Sequence, residues 1–259
     1  MNREEKEKLI KECNWYHSIE IEKGLITPGK LPHHLLKNFL NGLRLPGDLS
    51  GLSVLDIGAC DGFYSFEAEK RGAKRVVALE LFTEHHSIKQ AVKMLNSNVE
   101  VIKGNVYDLS PDIHGTFDIV LFLGVFYHLR YPLLALDRIF PVTRQYMTLE
   151  TYFFDNRIIL ADGSEMPLKE IDTRLEEVSL YQFYRYDEIR PRDFSNWFAP
   201  NRKAVETSLW SAGFEPEYLY SQYNRIAFKA KKLPGPPEHI RLQRGPVKSE
   251  KPGNEGKKV

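Results

Sequence analysis

The sequence predicts an α/β fold: a seven-stranded, mostly parallel sheet with helices on both faces and a C-terminal antiparallel hairpin. Three observations predict it. Four short apolar runs punctuate the middle of the chain, helix-like stretches alternate with them, and two extended segments near the end are joined by only a few residues. The runs are 53–57 (SVLDI), 75–79 (RVVAL), 99–103 (VEVIK) and 117–123 (FDIVLFL), rich in the branched residues of strands buried on both faces. Helices are expected over 64–71, 85–95 and 132–140, the last with Pro132 where a first turn accepts it. Strand and helix alternating at this spacing imply right-handed crossovers, hence parallel strands in a Rossmann-like arrangement. A fifth strand is expected over 145–151 and a helix over 202–212, stopped by Gly213. Segments 214–221 and 226–230 are separated by residues 222–225, too few for a crossover, so they are expected to pair antiparallel.

This core domain is expected over 51–230. Residues 1–50 form an N-terminal segment with one helix at its start and another near 35–42. Residues 152–200 read as an insertion rich in aromatics, among them Tyr152, Phe154, Tyr186, Phe194, Trp197 and Phe198. It lies beyond the fifth strand, near the carboxyl ends of the strands, where open α/β sheets bind ligands. It is expected to be either a lid over the ligand or a packed subdomain or interface.

Composition narrows the partners. The chain has 259 residues, 42% hydrophobic and 12% aromatic, enough for a full core. The formal net charge is +1, but residues 231–259 hold eight Lys or Arg against three Glu, so residues 1–230 carry −4. That acidic body argues against a broad electrostatic grip on nucleic acid. The basic, Pro- and Gly-rich 231–259 reads as a disordered tail, solubilising or able to touch nucleic acid locally. No apolar run is long enough for a membrane span and the charged N-terminus is unlike a signal peptide, so the expected location is cytoplasmic, with no membrane partner. Cys13 and Cys60 are too few for a disulfide framework. The pairs His33–His34 and His85–His86 point adjacent side chains in different directions, and no metal site is expected. A serine hydrolase is disfavoured, because no G-x-S-x-G elbow occurs.

The chemistry concentrates in VLDIGACDG (54–62), a strand running into a turn that opens a helix. Gly58 and Gly62 allow close backbone approach, and Asp56 sits at the end of the strand. The spacing G-x-x-x-G lacks the middle glycine of the dinucleotide fingerprint, so a ligand without a pyrophosphate fits better. Glu80 closes the second strand 24 residues after Asp56, where an acid accepts hydrogen bonds from both hydroxyls of an adenosine ribose. Asn105 and Val106 follow the third strand as an adenine edge. The fourth strand ends at Leu123, followed by GVFYH (124–128). His128 is a candidate base for a hydroxyl acceptor, or a residue that caps its own turn.

Taken together, WYHSIEIEKGLITPG, LSVLDIGACDGFYSFEAEKRGAKRVVALE, FDIVLFLGVFYHLRYPLLAL, LET and NWFAPN…LWSAGF resemble the class I S-adenosylmethionine-dependent methyltransferases, and within them the tRNA wobble-uridine carboxymethyltransferase-like branch. The resemblance covers roughly residues 15–230. It implies S-adenosyl-L-methionine or carboxy-S-adenosyl-L-methionine as cofactor. It also implies a tyrosine, an arginine and lysines around the transferred carboxylate: Tyr127 and Arg225 match, and Lys37 matches one lysine if a one-residue gap is allowed. The remaining cofactor contacts fall on Gly58, Glu80, Leu81, Phe82, Asn105, Val106 and Leu123; Leu81 and Phe82 differ in type from the family residues, and Cys60 stands where the family has glycine. The branch's long N-terminal domain has no counterpart here. Three functions are therefore expected, in order: methyl transfer to a small-molecule or nucleoside acceptor, carboxymethyl transfer to tRNA, and non-catalytic adenosyl binding.

Overall fold

In the computed structural model, which describes residues 1–84, 87–155, 158–184 and 195–235, the N-terminal segment contributes α1 (Arg3–Glu12), β1 (Glu20–Glu22), β2 (Leu25–Ile26) and α2 (His33–Gly42). The alternating core follows: β3 (Ser53–Ile57), α3 (Phe63–Lys70), β4 (Arg75–Glu80), α4 (Ile88–Leu95), β5 (Glu100–Lys103), a short α5 (Pro111–His114), β6 (Phe117–Leu123), α6 (Pro132–Val142) and β7 (Thr143–Tyr152). The inserted stretch holds β8 (Ile158–Ile159), β9 (Glu165–Met166), α7 (Leu168–Ile171), β10 (Tyr181–Phe183) and β11 (Phe198–Pro200). The chain closes with α8 (Arg202–Ser211), β12 (Phe214–Gln222) and β13 (Arg225–Lys232).

Seven strands share one sheet in the order β12-β13-β7-β6-β3-β4-β5. β7, β6, β3, β4 and β5 pair in parallel, and β13 runs antiparallel to both β7 and β12. This is the sheet the sequence predicts, closing hairpin included. Boundaries differ by a residue or two where ladder hydrogen bonds outrun the apolar pattern, as at β7 and at β13, which reaches Lys232 inside the stretch assigned to the tail. The expected helix over 85–95 begins at Ile88; residues 85 and 86 lie outside the described residues. So do residues 236–259, and with them most of the expected tail, as well as Tyr186 and Phe194.

Side chains on the two faces of the sheet build two cores. One packs α6 and α8 against the sheet through Leu136, Ile139, Phe140, Val205 and Leu209. The other packs α2, α3 and α4 through Leu36, Leu40, Phe66, Ile88 and Met94, and also takes Trp15, Ile19 and Ile21 from the N-terminal segment. Burial of so many apolar side chains, each worth about 1.5–3 kcal/mol, fixes that segment on the sheet. β3 and β6 lie between both layers and are buried along nearly their whole length, which is why they read as continuous apolar runs.

Candidate active site

The turn after β3 brings the sequence's strongest signals together. Gly58 has φ +69°, and a Cβ there would lie 2.4 Å from Val125 Cγ2, so glycine is what lets the turn pass beneath the segment after β6. Cys60 also adopts a left-handed conformation, φ +54°, which costs a side-chain-bearing residue free energy. Gly62, φ +89°, caps α3. Glu80 closes the turn from the neighbouring strand: Oε2 accepts from the Cys60 N–H at 2.8 Å and Oε1 from the Phe82 N–H at 2.8 Å. Asp56, on β3, is buried and accepts from Ser65 Oγ at 2.6 Å; burial pushes its carboxyl up to about 7.

A cavity of about 950 Å³ opens over the carboxyl ends of the strands. Of the residues expected from the sequence, Asp56, Gly58, Glu80, Leu81, Phe82, Asn105, Val106, Leu123, Tyr127, His128 and Arg225 line it. Asn105 Oδ1 accepts from the Tyr107 N–H at 3.1 Å, holding the turn after β5 in place. Gly62 stands behind the wall as a helix cap. Lys37 is not brought to the cavity. Its Nζ lies 2.8 Å from Glu67 Oε1 and 5.8 Å from the centre of the Phe63 ring, because α2 turns this residue outward toward α3.

The far end of the cavity is polar and aromatic. Arg225, at the start of β13, sits 3.1 Å through Nε from Glu150 Oε1 on β7 and 5.0 Å from the centre of the Tyr127 ring. Arg225 pairs in register with Tyr152, so Glu150 is its diagonal neighbour on one face of the sheet. Burial works against the Arg225 charge, but Glu150 and Tyr127 outweigh it and hold the guanidinium protonated. Burial raises the Glu150 carboxyl despite the opposing pull of Arg225, and pushes the Tyr127 hydroxyl up to about 12. His128 packs on Tyr127 with ring centres 4.1 Å apart and planes tilted by 45°, and its Nδ1 faces the Ser195 carbonyl at 3.1 Å. A carbonyl only accepts, so this nitrogen carries the proton. Arg130 lies 4.8 Å from the centre of the Trp197 ring at the rim.

Several wall residues escaped sequence reasoning: Tyr16, His17 and Lys30 from the N-terminal segment, Glu150 from β7 and Tyr220 from β12. Glu150 lies inside the LET stretch, and Tyr16 and His17 inside WYHSIEIEKGLITPG; Lys30 and Tyr220 had no signal. Asp61 fastens the N-terminal wall: Oδ2 accepts from the Tyr16 and His17 N–H groups at 2.6 and 2.9 Å, and Oδ1 from the Ser87 N–H at 3.0 Å. The imidazole of His17, the thiol of Cys60 and the Asp61 carboxylate lie within 4.8 Å of one another, a trio that spacing along the chain did not reveal. With both Asp61 oxygens engaged by backbone amides, its evident task here is to tie three segments together.

Residues 55–146 match the sequence profile of the family described as "Methyltransferase domain". The matched stretch runs from β3 to the start of β7. A tRNA U34 carboxymethyltransferase from Desulforapulum autotrophicum is 28% identical over 180 residues, covering 66% of this chain and 48% of that protein. The chain spans about half the length of these curated relatives. Among solved structures, the N-terminal domain of EvdMO1 with SAH bound aligns over 90% of this chain and 98% of its own, at TM-score 0.60 and 19% identity. Magnesium protoporphyrin IX methyltransferase from Synechocystis PCC 6803, with bound SAH, aligns over 77% of this chain and 82% of its own, at TM-score 0.52 and 17% identity. The chain thus shares the Rossmann-like fold of these two solved structures.

Proposed function

We propose that this chain binds S-adenosylmethionine and transfers its one-carbon group to a small-molecule or nucleoside acceptor. One observation carries the reading: the Gly58 turn and Glu80 meet through the Cys60 N–H on the wall of a single cavity. The carboxylate of Glu80 is suited to the ribose hydroxyls, Asn105 and Val106 to the adenine edge, and Leu81 and Phe82 to the faces of the nucleoside. The turn at Gly58, which lines the cavity, is suited to the amino-acid end of the ligand. The absence of phosphate-cradling glycines fits a nucleoside attached to sulfur.

S-adenosylmethionine supplies an electrophilic carbon on a sulfonium, so the protein's work is alignment and exclusion of water. The buried ends of β6, β7 and β13 provide that setting. For a hydroxyl acceptor, the second ring nitrogen of His128 is a candidate proton acceptor, its tautomer set by the Ser195 carbonyl.

A second reading, carboxymethyl transfer from carboxy-S-adenosylmethionine to tRNA, is favoured by Arg225 and Tyr127 on the cavity wall and by the names of the relatives. Among the described residues no helix is long and apolar enough to cross a membrane, and the acceptor is sought among dissolved molecules. The test is mass spectrometry of the ligand that co-purifies with the protein. Transfer of label from a donor with a labelled one-carbon group, offered tRNA and a small-molecule extract separately, then follows. Label in the extract alone favours the first reading, and label in tRNA the second. Tight adenosyl binding with no transfer to either pool points to a non-catalytic adenosyl-binding module; no adenosyl ligand at all would overturn the reading.

A further inference from the structure

Three side chains from three parts of the chain converge over Gly124. A Cβ built on this glycine, φ +71°, would lie 3.7 Å from Arg225 Nη2, 3.9 Å from Glu150 Oε2 and 3.9 Å from Tyr127 Oη. A small group entering the space above Gly124 therefore meets a cation, a carboxylate and a phenol together. The sheet order says which part of a donor arrives there. Glu80 ends β4 on one side of β3, whereas Gly124 follows β6 and Glu150 lies on β7 on the other side. A donor with its ribose at Glu80 thus extends its sulfur and the transferred group across β3 toward Gly124.

We propose that Glu150 makes the choice of donor depend on pH: a donor whose transferred group carries a carboxylate settles beside Arg225 only when Glu150 takes up a proton, whereas a methyl donor settles with Glu150 ionised. The inference rests on the donor binding proposed above. Its physical basis is a count of charges in a site shielded from water. Arg225 and Glu150 already neutralise each other at 3.1 Å. An entering carboxylate would set two anions around one guanidinium, a crowding relieved by protonating one of them. Glu150 is the group to yield, since burial already disfavours its charge. Both donors bring the positive charge of the sulfonium; only the carboxy form adds an anion beside Glu150, so the methyl donor leaves that carboxylate ionised.

The other groups facing the pair do not supply the missing charge. Tyr127 acts on both members, Tyr64 from α3 and Tyr220 from β12 face Glu150 and Arg225, and Tyr16 from the N-terminal segment faces Arg225. Burial raises the hydroxyls of Tyr64, Tyr127 and Tyr220, which keeps them neutral. Among the described residues, the cation acting on Glu150 is Arg225.

The test is titration calorimetry of the full chain with S-adenosylmethionine and with its carboxy form from pH 5.5 to 8.5, in buffers of different ionisation enthalpy. The carboxy form is expected to bind with uptake of up to one proton, so that its affinity falls by up to about tenfold per pH unit. S-adenosylmethionine is expected to bind with no uptake or with release. Both donors carry the same amino-acid group, so its titration cancels in the ratio of their affinities, which should fall as pH rises. In Glu150→Gln that ratio should become flat and shift toward the carboxy form. A flat ratio in the unaltered protein, or an unchanged slope in Glu150→Gln, would overturn the proposal. If neither donor binds at any pH, the donor reading itself has failed; if both bind with a flat ratio, only the role of Glu150 has. The proton count in the unaltered protein decides the matter even if the variant does not fold.

Discussion

Replacing Glu80 by glutamine exchanges a carboxylate that serves two backbone amides for an amide with one acceptor oxygen. In the structure its two oxygens receive the Cys60 and Phe82 N–H groups at 2.8 Å each, and the residue is 4% exposed. Glutamine satisfies one of these amides and turns its own NH₂ toward the other, so one part-buried N–H loses its partner, at a cost of about 1 kcal/mol in stability. If Glu80 also accepts from the ribose, the variant loses a charged hydrogen bond to the ligand, about 1.5–3 kcal/mol, or roughly 10- to 140-fold in affinity. Calorimetry with S-adenosylhomocysteine measures the second quantity and denaturant unfolding the first. Repeating the titration with the 2′-deoxy ligand closes a double-mutant cycle: strongly non-additive losses place the carboxylate on that hydroxyl. A variant that is less stable yet binds S-adenosylhomocysteine as tightly as before would refute the ribose assignment and leave Glu80 a structural clasp of the turn.

Three further outcomes are expected. Lys37→Ala should leave the affinity for both donors unchanged and cost at most about 1 kcal/mol in denaturant unfolding, because Lys37 is half exposed and Glu67 keeps Lys70 and Arg71 as partners. Gly58→Ala should destabilise by about 2–4 kcal/mol in the same assay, combining the left-handed backbone with the collision against Val125. The buried Asp56 carboxyl, raised to about 7 in the folded chain, binds more protons there than when unfolded. Its contribution to stability is therefore full below about pH 4 and lost as pH rises toward 7. Asp56→Asn should flatten that part of the unfolding profile relative to the unaltered protein, and an unchanged slope would count against the buried, protonated form.

Much of the sheet was legible because each parallel strand is buried on both faces and its run of branched residues is local information. SVLDI and FDIVLFL announce β3 and β6 without knowledge of their neighbours. Glu80 was legible for a related reason, since a strand end and its turn lie a few residues apart. Lys30 and Tyr220 reach the cavity only through packing of distant segments, and nothing in their own neighbourhoods marks them; Tyr16 arrives the same way, from a stretch that carried part of the resemblance but no hint of the cavity. Lys37 shows the converse. An alignment with a gap placed it near the ligand, but the face of α2 on which it sits is decided by Leu36 and Leu40 buried against the sheet, which leaves Lys37 to Glu67.

The clasp made by Asp61 separates two kinds of evolutionary freedom. The wall suited to the adenosyl group is drawn mostly from turns at the ends of β3, β4, β5 and β6, and these answer to one another through the sheet. Tyr16, His17 and Lys30 come from chain laid down before the sheet begins and pinned to it through backbone amides, whose identity as donors does not depend on the side chains they carry. Those side chains can drift, and with them the molecules the cavity admits, while the geometry of the turn is preserved. On the donor reading proposed above, changes at Tyr16, His17 or Lys30 would alter what the cavity admits without disturbing the place of the nucleoside.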